Sequence, residues 1–149
     1  MKLKALITGI LCCCLLSFLK AQTGFSSAGG ANFLGFARAG AALSGTESIY
    51  LNQAGITGVR NMAFDLSVER RYNLEELTQI SLAAIKTFKS GTFGIMASNF
   101  GFSAYNEQKI GLSYGRKLAK NISLGGQLDM LRYNIDQVGS SNVFSFEVG

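Results

Sequence analysis

From Asn61 to its end the chain alternates apolar and polar residues with a period of two, in six successive runs of about 9–12 residues. A period of two sends neighbouring side chains to opposite sides of an extended backbone, so each run predicts a strand with one apolar and one polar face. Met62, Phe64, Leu66 and Val68 alternate with Ala63, Asp65, Ser67 and Glu69. Residues 79–88 set Ile80, Leu82 and Ala84 on one face, although Ile85 and Lys86 blur the pattern. Residues 91–100 group Phe93, Ile95 and Ala97, and residues 109–117 oppose Ile110, Leu112 and Tyr114 to Gly111, Ser113 and Gly115. Residues 122–133 place Ile122, Leu124, Leu128 and Met130 opposite Ser123, Gln127 and Asp129. The sixth run starts at Asn142, with Phe144, Phe146 and Val148 against Ser145 and Glu147. Only residues 74–85 also fit a helical face, through Leu74, Leu77, Ser81 and Ala84.

Runs of this length match tilted strands that cross a bilayer, which need about 9–11 residues, whereas ordinary globular strands average about 5–6. The connections alternate as well: residues 89–90 and 118–121 are short, while 70–78, 101–108 and 134–141 are longer and polar. Short periplasmic turns and long outer loops are the pattern of an outer-membrane barrel. The expected fold class is therefore all-β, an antiparallel up-and-down transmembrane β-barrel in the cell outer membrane, with outer-membrane lipid as its surroundings. Six strands fall short of the usual minimum of about eight. The barrel is thus expected to be incomplete, the N-terminal part of a longer chain in preference to one completed by oligomerisation. Tyr72, Tyr105, Tyr114 and Tyr133 near strand ends are expected to form interfacial girdles, with Lys86 and Arg116 reaching the periplasmic surface. A soluble exported β-barrel binding a small apolar ligand would show the same alternation and stands as the alternative.

Composition narrows the function classes. With 48% hydrophobic and 15% charged residues in 149 positions, the chain can bury ample apolar surface and is not expected to be disordered. Residues 1–21 read as a signal peptide: Lys2 and Lys4 precede an apolar run from Ala5 to Leu19 that is short for a membrane-spanning helix, and Ala21 offers a small residue at the cut. Cys12, Cys13 and Cys14 sit inside that run as small hydrophobes, which leaves the mature chain without thiol chemistry. The net charge of +5 owes much to Lys2, Lys4 and Lys20 in a segment free of acids, and no basic stretch longer than Arg70-Arg71 remains, so no nucleic-acid partner is expected. The absence of histidine removes histidine triads and histidine metal sites. Glu75-Glu76 reads as a solvated loop pair in preference to paired catalytic carboxylates. No enzyme, no catalytic or metal residue and no cofactor is expected.

Residues 24–58 change to Gly, Ala, Ser and Asn with Phe25, Phe33, Leu34 and Phe36 interspersed, and their glycines lack the strand-loop-helix context of a phosphate-binding fingerprint. Within them Arg38, Ala39 and Gly40 open a small-residue run to Ser44, and Ser48-Ile49-Tyr50-Leu51 leads to Asn52-Gln53-Ala54-Gly55. These residues resemble the N-terminal signature of FadL-type and PorV/PorQ-type outer-membrane barrels, in which an Asn-Pro-Ala-Gly turn leads into the first strand; here Gln53 stands where proline is usual. The resemblance implies a plug-like segment over residues 22–60 ahead of barrel strands over residues 61–149. It also implies transport of hydrophobic compounds or a place in secretion and surface attachment, with hydrophobic small molecules or secretion-machinery proteins as partners. Asp65, Glu69, Gln127, Asp129 and Glu147 share the polar strand faces and are expected to line the lumen.

Overall fold

A computed structural model of the chain describes Gly30, Gly35 and residues 42–149. The expected signal peptide and the small-residue positions Arg38, Ala39 and Gly40 lie outside the described residues. Two 3-10 turns, Thr46–Tyr50 and Gln53–Gly58, precede six strands: β1 (Met62–Arg70), β2 (Thr78–Phe88), β3 (Gly91–Phe102), β4 (Tyr105–Ala119), β5 (Ile122–Ile135) and β6 (Gly139–Val148). They form one antiparallel sheet in the order β1-β2-β3-β4-β5-β6, so every strand pairs with its neighbours in sequence.

This sheet is open. The pairing begins at β1 and ends at β6, and β1 does not pair with β6. A barrel needs that last pairing, because closure is what satisfies the edge backbone groups. The expected transmembrane barrel is therefore corrected to an open six-stranded sheet. The soluble barrel with an enclosed ligand cavity falls for the same reason. The strands are long, from 9 residues in β1 to 15 in β4. Strand length alone thus does not decide closure.

The alternation of loop lengths is corrected too. β3 and β4 are joined by residues 103–104 and β5 and β6 by residues 136–138, both tight turns, and only residues 71–77 between β1 and β2 form a longer connection. Polar residues of the expected 101–108 loop continue the pairing instead: Gln108 lies opposite Asn99 of the expected strand, and Asn106 Nδ2 donates to Asn99 Oδ1 at 2.9 Å. Cross-strand amide pairs make a ladder as well as a loop composition would make a loop. The helical alternative over residues 74–85 is reduced to one 3-10 turn, Glu75–Leu77, before β2 begins.

The register settles the two faces. One row runs Phe64, Ala84, Ile95, Leu112, Leu128, Phe146 across the sheet, and the next runs Leu66, Leu82, Ala97, Ile110, Met130, Phe144. On the opposite face one row runs Asp65, Ala83, Met96, Gly111, Asp129, Ser145. The 3-10 turns pack on this polar face, where Ile49, Tyr50, Ile56 and Val59 form a buried core with Ala83, Ile85 and Met96. Ile85, which blurred the alternation of β2, is 1% exposed beneath that segment. Of the tyrosines expected in a girdle, Tyr105 and Tyr133 turn to the polar face, where Tyr105 donates to Glu107 and the Tyr133 hydroxyl is buried; Tyr114 stays on the apolar face and donates to the Ser90 carbonyl at 2.8 Å, and Tyr72 is exposed between β1 and β2.

Candidate functional site

The residues with unusual chemistry converge where the segment from Gly45 to Val59 lies on the polar face. Asn52 caps the second 3-10 turn: its Oδ1 accepts from the Ala54 N–H at 3.2 Å, which satisfies one of the free donors at a helix start. Gln53 occupies the first position of that turn and is almost fully buried. Two glycines of the sheet make room for the approach. A Cβ at Gly125 would overlap the carbonyl carbon of Gln53, and one at Gly94 would stand 2.7 Å from the Ile49 side chain. Alternation permits a small residue at either place, but only glycine lets backbone and sheet come this close.

Hydrogen bonds then fasten the segment from one edge of the sheet to the other. Tyr50 donates its hydroxyl to Asp65 Oδ1 on β1 at 2.9 Å, and Gln53 Nε2 donates to Glu147 Oε2 on β6 at 2.7 Å. Between them the Thr57 and Ser123 hydroxyls bond at 2.9 Å, and Thr87 donates to the Val59 carbonyl at 2.6 Å. Burial, and then the bond to Asp65, push the Tyr50 hydroxyl well above its ordinary pKa, so it stays a donor at any physiological pH.

Glu147 belongs to a larger network. Lys109 Nζ stands 2.7 Å from Glu147 Oε1 and 3.3 Å from Asp129 Oδ2, with only 8% of the lysine side chain and none of the Asp129 side chain exposed. Gln127 Nε2 donates to Asp129 Oδ1 at 2.7 Å, and Ser113 donates to Gln127 Oε1. The chain Ser113–Gln127–Asp129–Lys109–Glu147–Gln53 therefore joins β4, β5 and β6 to the 3-10 segment. Burial raises the Asp129 carboxyl above the usual range, and the neighbouring Lys109 ammonium works against that rise. At the far end of the same face the bond to Glu107 lifts the Tyr105 hydroxyl to about 12.

Of the five polar-face residues expected to line a lumen, the structure brings Gln127, Asp129 and Glu147 together and leaves two apart. Asp65 serves Tyr50, and Glu69 pairs with Arg71 at 3.1 Å. On an open sheet there is no lumen for them to line; Asp65 and Glu147 bond to the seated segment, and Gln127 and Asp129 join it through Lys109. Lys109, the cation at the centre, carried no weight in the sequence reading. Its odd number placed it with Gly111 and Ser113 on the polar face, and that parity was the available signal. Glu75 is exposed and 3.9 Å from Arg70, as a solvated loop residue would be. Among the described residues no group of three or more His, Cys, Asp or Glu side chains could hold a metal ion.

Among the described residues, no segment packs on the opposite face. Phe64, Leu66, Leu112, Leu128, Phe144 and Phe146 are each at least 60% exposed. Two shallow depressions of about 520 and 620 Å³ lie on it, both touching Ala84 and Ile95, where the small alanine side chain leaves space among larger neighbours. Among the described residues no helix is long and apolar enough to cross a membrane.

No protein-family model, no curated protein and no solved structure matches this chain. The resemblance to FadL-type and PorV/PorQ-type barrels is thereby corrected. The turn at Asn52–Gly55 exists, but it is seated through Gln53 on an unclosed sheet. The expected outer-membrane location, the lipid, secretion-machinery and small-molecule partners, and the transport or secretion role all rested on closure and on that family, and are withdrawn with them.

Proposed function

We propose that the chain is a non-enzymatic interaction module whose working surface is the apolar face of its sheet. One observation carries the reading: two adjacent cross-strand rows rich in large apolar side chains stand exposed among the described residues, while the 3-10 turns pack on the polar face behind them. Large exposed apolar surfaces of this kind mark contact surfaces. The carboxylates of the polar face support the non-catalytic part. Asp129 and Glu147 share one ammonium and two amides, an arrangement that cross-links strands and leaves no free base beside a substrate space.

The occupant that fits best is the apolar surface of another polypeptide. The depressions at Ala84 and Ile95, flanked by Phe64, Phe93 and Leu112, offer the uneven relief into which projecting side chains interlock, as facing sheets do at about 10 Å separation. A photo-cross-linking residue placed at position 112 in the producing cell is expected to form polypeptide adducts, and one at Ser103 in the β3–β4 turn is expected to form none. Free water access at position 112, or adducts to acyl chains alone, would overturn the reading.

A further inference from the structure

The segment from Ser44 to Gly58 is flanked by two cavities of opposite charge. One, of about 350 Å³, is lined by Glu47 and Asp65 with hydroxyl side chains of the first 3-10 turn. The other, of about 420 Å³, opens between the segment and the β4–β5 hairpin and is lined by Lys117, Lys120, Asn121, Ser123, Thr57 and Ser44, among others. No carboxylate stands among the described residues that line it, and neither lysine joins an ion pair among the described residues. Lys117 lies opposite Ser123, on the side of the sheet that carries the segment, and the register shifts between Lys117 and Ala119. Such an irregularity re-aims side chains at a strand end. The hydroxyl wall is fixed in place: the Thr57 and Ser123 oxygens are 2.9 Å apart, and Thr57 Oγ1 lies 2.8 Å from the Ala54 carbonyl.

We propose that this second cavity binds a small oxyanion of the phosphate class. Two ammonium groups supply the opposite charge, and the Asn121 amide and the Ser44 hydroxyl supply neutral donors. Hydrogen bonds from ammonium to phosphoryl oxygen are among the stronger kind, and two cationic side chains lining one cleft make its field positive. The ligand is a phosphoryl group, whether free phosphate or a phosphate ester on a larger molecule.

Calorimetric titration of the chain with inorganic phosphate, at ionic strength held constant with chloride, tests the assignment. Saturable binding is expected, weakened about tenfold or more in the double variant K117Q/K120Q and unchanged in K89Q, which removes a cation from the β2–β3 turn. Both substituted lysines are exposed, so an unchanged far-ultraviolet circular dichroism spectrum is expected to accompany the loss. A parallel titration with glycerol phosphate separates the sources: tighter binding assigns the site to an ester, weaker binding to the free ion. Absence of saturable binding at millimolar phosphate, or equal weakening by K89Q, would overturn the proposal.

Discussion

The two faces of this sheet arise from one alternation, yet they end in opposite conditions. The polar face holds buried charges beside a packed segment of the same chain, and the apolar face keeps its phenylalanines and leucines exposed among the described residues. The usual expectation is the reverse, because apolar side chains go inside and charges stay wet. What resolves the inversion is the content of the two surfaces. The polar face contains its own small apolar patch at Ala83, Ile85 and Met96, on which Ile49, Tyr50, Ile56 and Val59 gather. Around that patch each buried charge has a named partner, and burial of a charge is tolerable only under that condition. The apolar face lacks any such internal cover among the described residues, so its stability belongs to whatever it meets.

Removing Lys109 strains this contrast most. Lys109→Ala leaves Asp129 buried with no cation, and the loss expected from urea unfolding is about 3–5 kcal/mol. A smaller loss, about 2–4 kcal/mol, is expected for Ile85→Ala, which opens a cavity under the 3-10 turns. Gly125→Val pushes a side chain into the Gln53 backbone and is expected to cost about 1–3 kcal/mol, with proteolysis quickening between residues 45 and 59.

The charge set also makes the polar face sensitive to pH. Because the folded-state pKa of Asp129 is raised above 3.8, the folded chain holds a proton that the unfolded chain has lost. Its contribution is greatest below 3.8 and declines as pH rises through the window up to the raised value, then stays level. Asp129→Asn is expected to flatten that slope in urea titrations taken across the window. The smallest effect is expected on the other face. Leu112→Ser should change the stability of the isolated chain by less than about 0.5 kcal/mol while weakening cross-linking to a partner from a photo-reactive residue at the paired position 128. A loss as large as that of Ile85→Ala would show that the apolar face is already covered within the chain.

The strands and their faces were legible in the sequence because alternation is a local property. Phe64, Leu66, Leu112 and Leu128 fall on one face by parity alone, and so do Asp65, Gln127 and Asp129 on the other. The strand ends were less legible. Asn106 and Gln108 have the composition of a loop, and only their bonding to Asn99 across β3 and β4 reveals a ladder. Closure was not legible at all, since it depends on whether β1 and β6 meet, and neither strand encodes that in its own residues. The seat was half visible. Asn52 and Gly55 announced a turn, but Gln53 gained meaning only through Glu147, 94 residues away, and Gly125 only through the backbone laid against it.

The order of the strands has a consequence for how the molecule comes into being. Each strand pairs with its neighbour in sequence, and from β2 onward across a tight turn, so hairpin can add to hairpin with little loop entropy lost at each step. The 3-10 segment has no such neighbour. Its anchors on Gly125, Ser123 and Glu147 exist only once β5 and β6 are laid down. The two 3-10 turns thus complete their contacts only after the far strands have formed, and until then Glu147 lacks its bond from Gln53. Pulsed hydrogen exchange during refolding is expected to protect the amides of β4 and β5 before those of Thr46–Tyr50 and Gln53–Gly58.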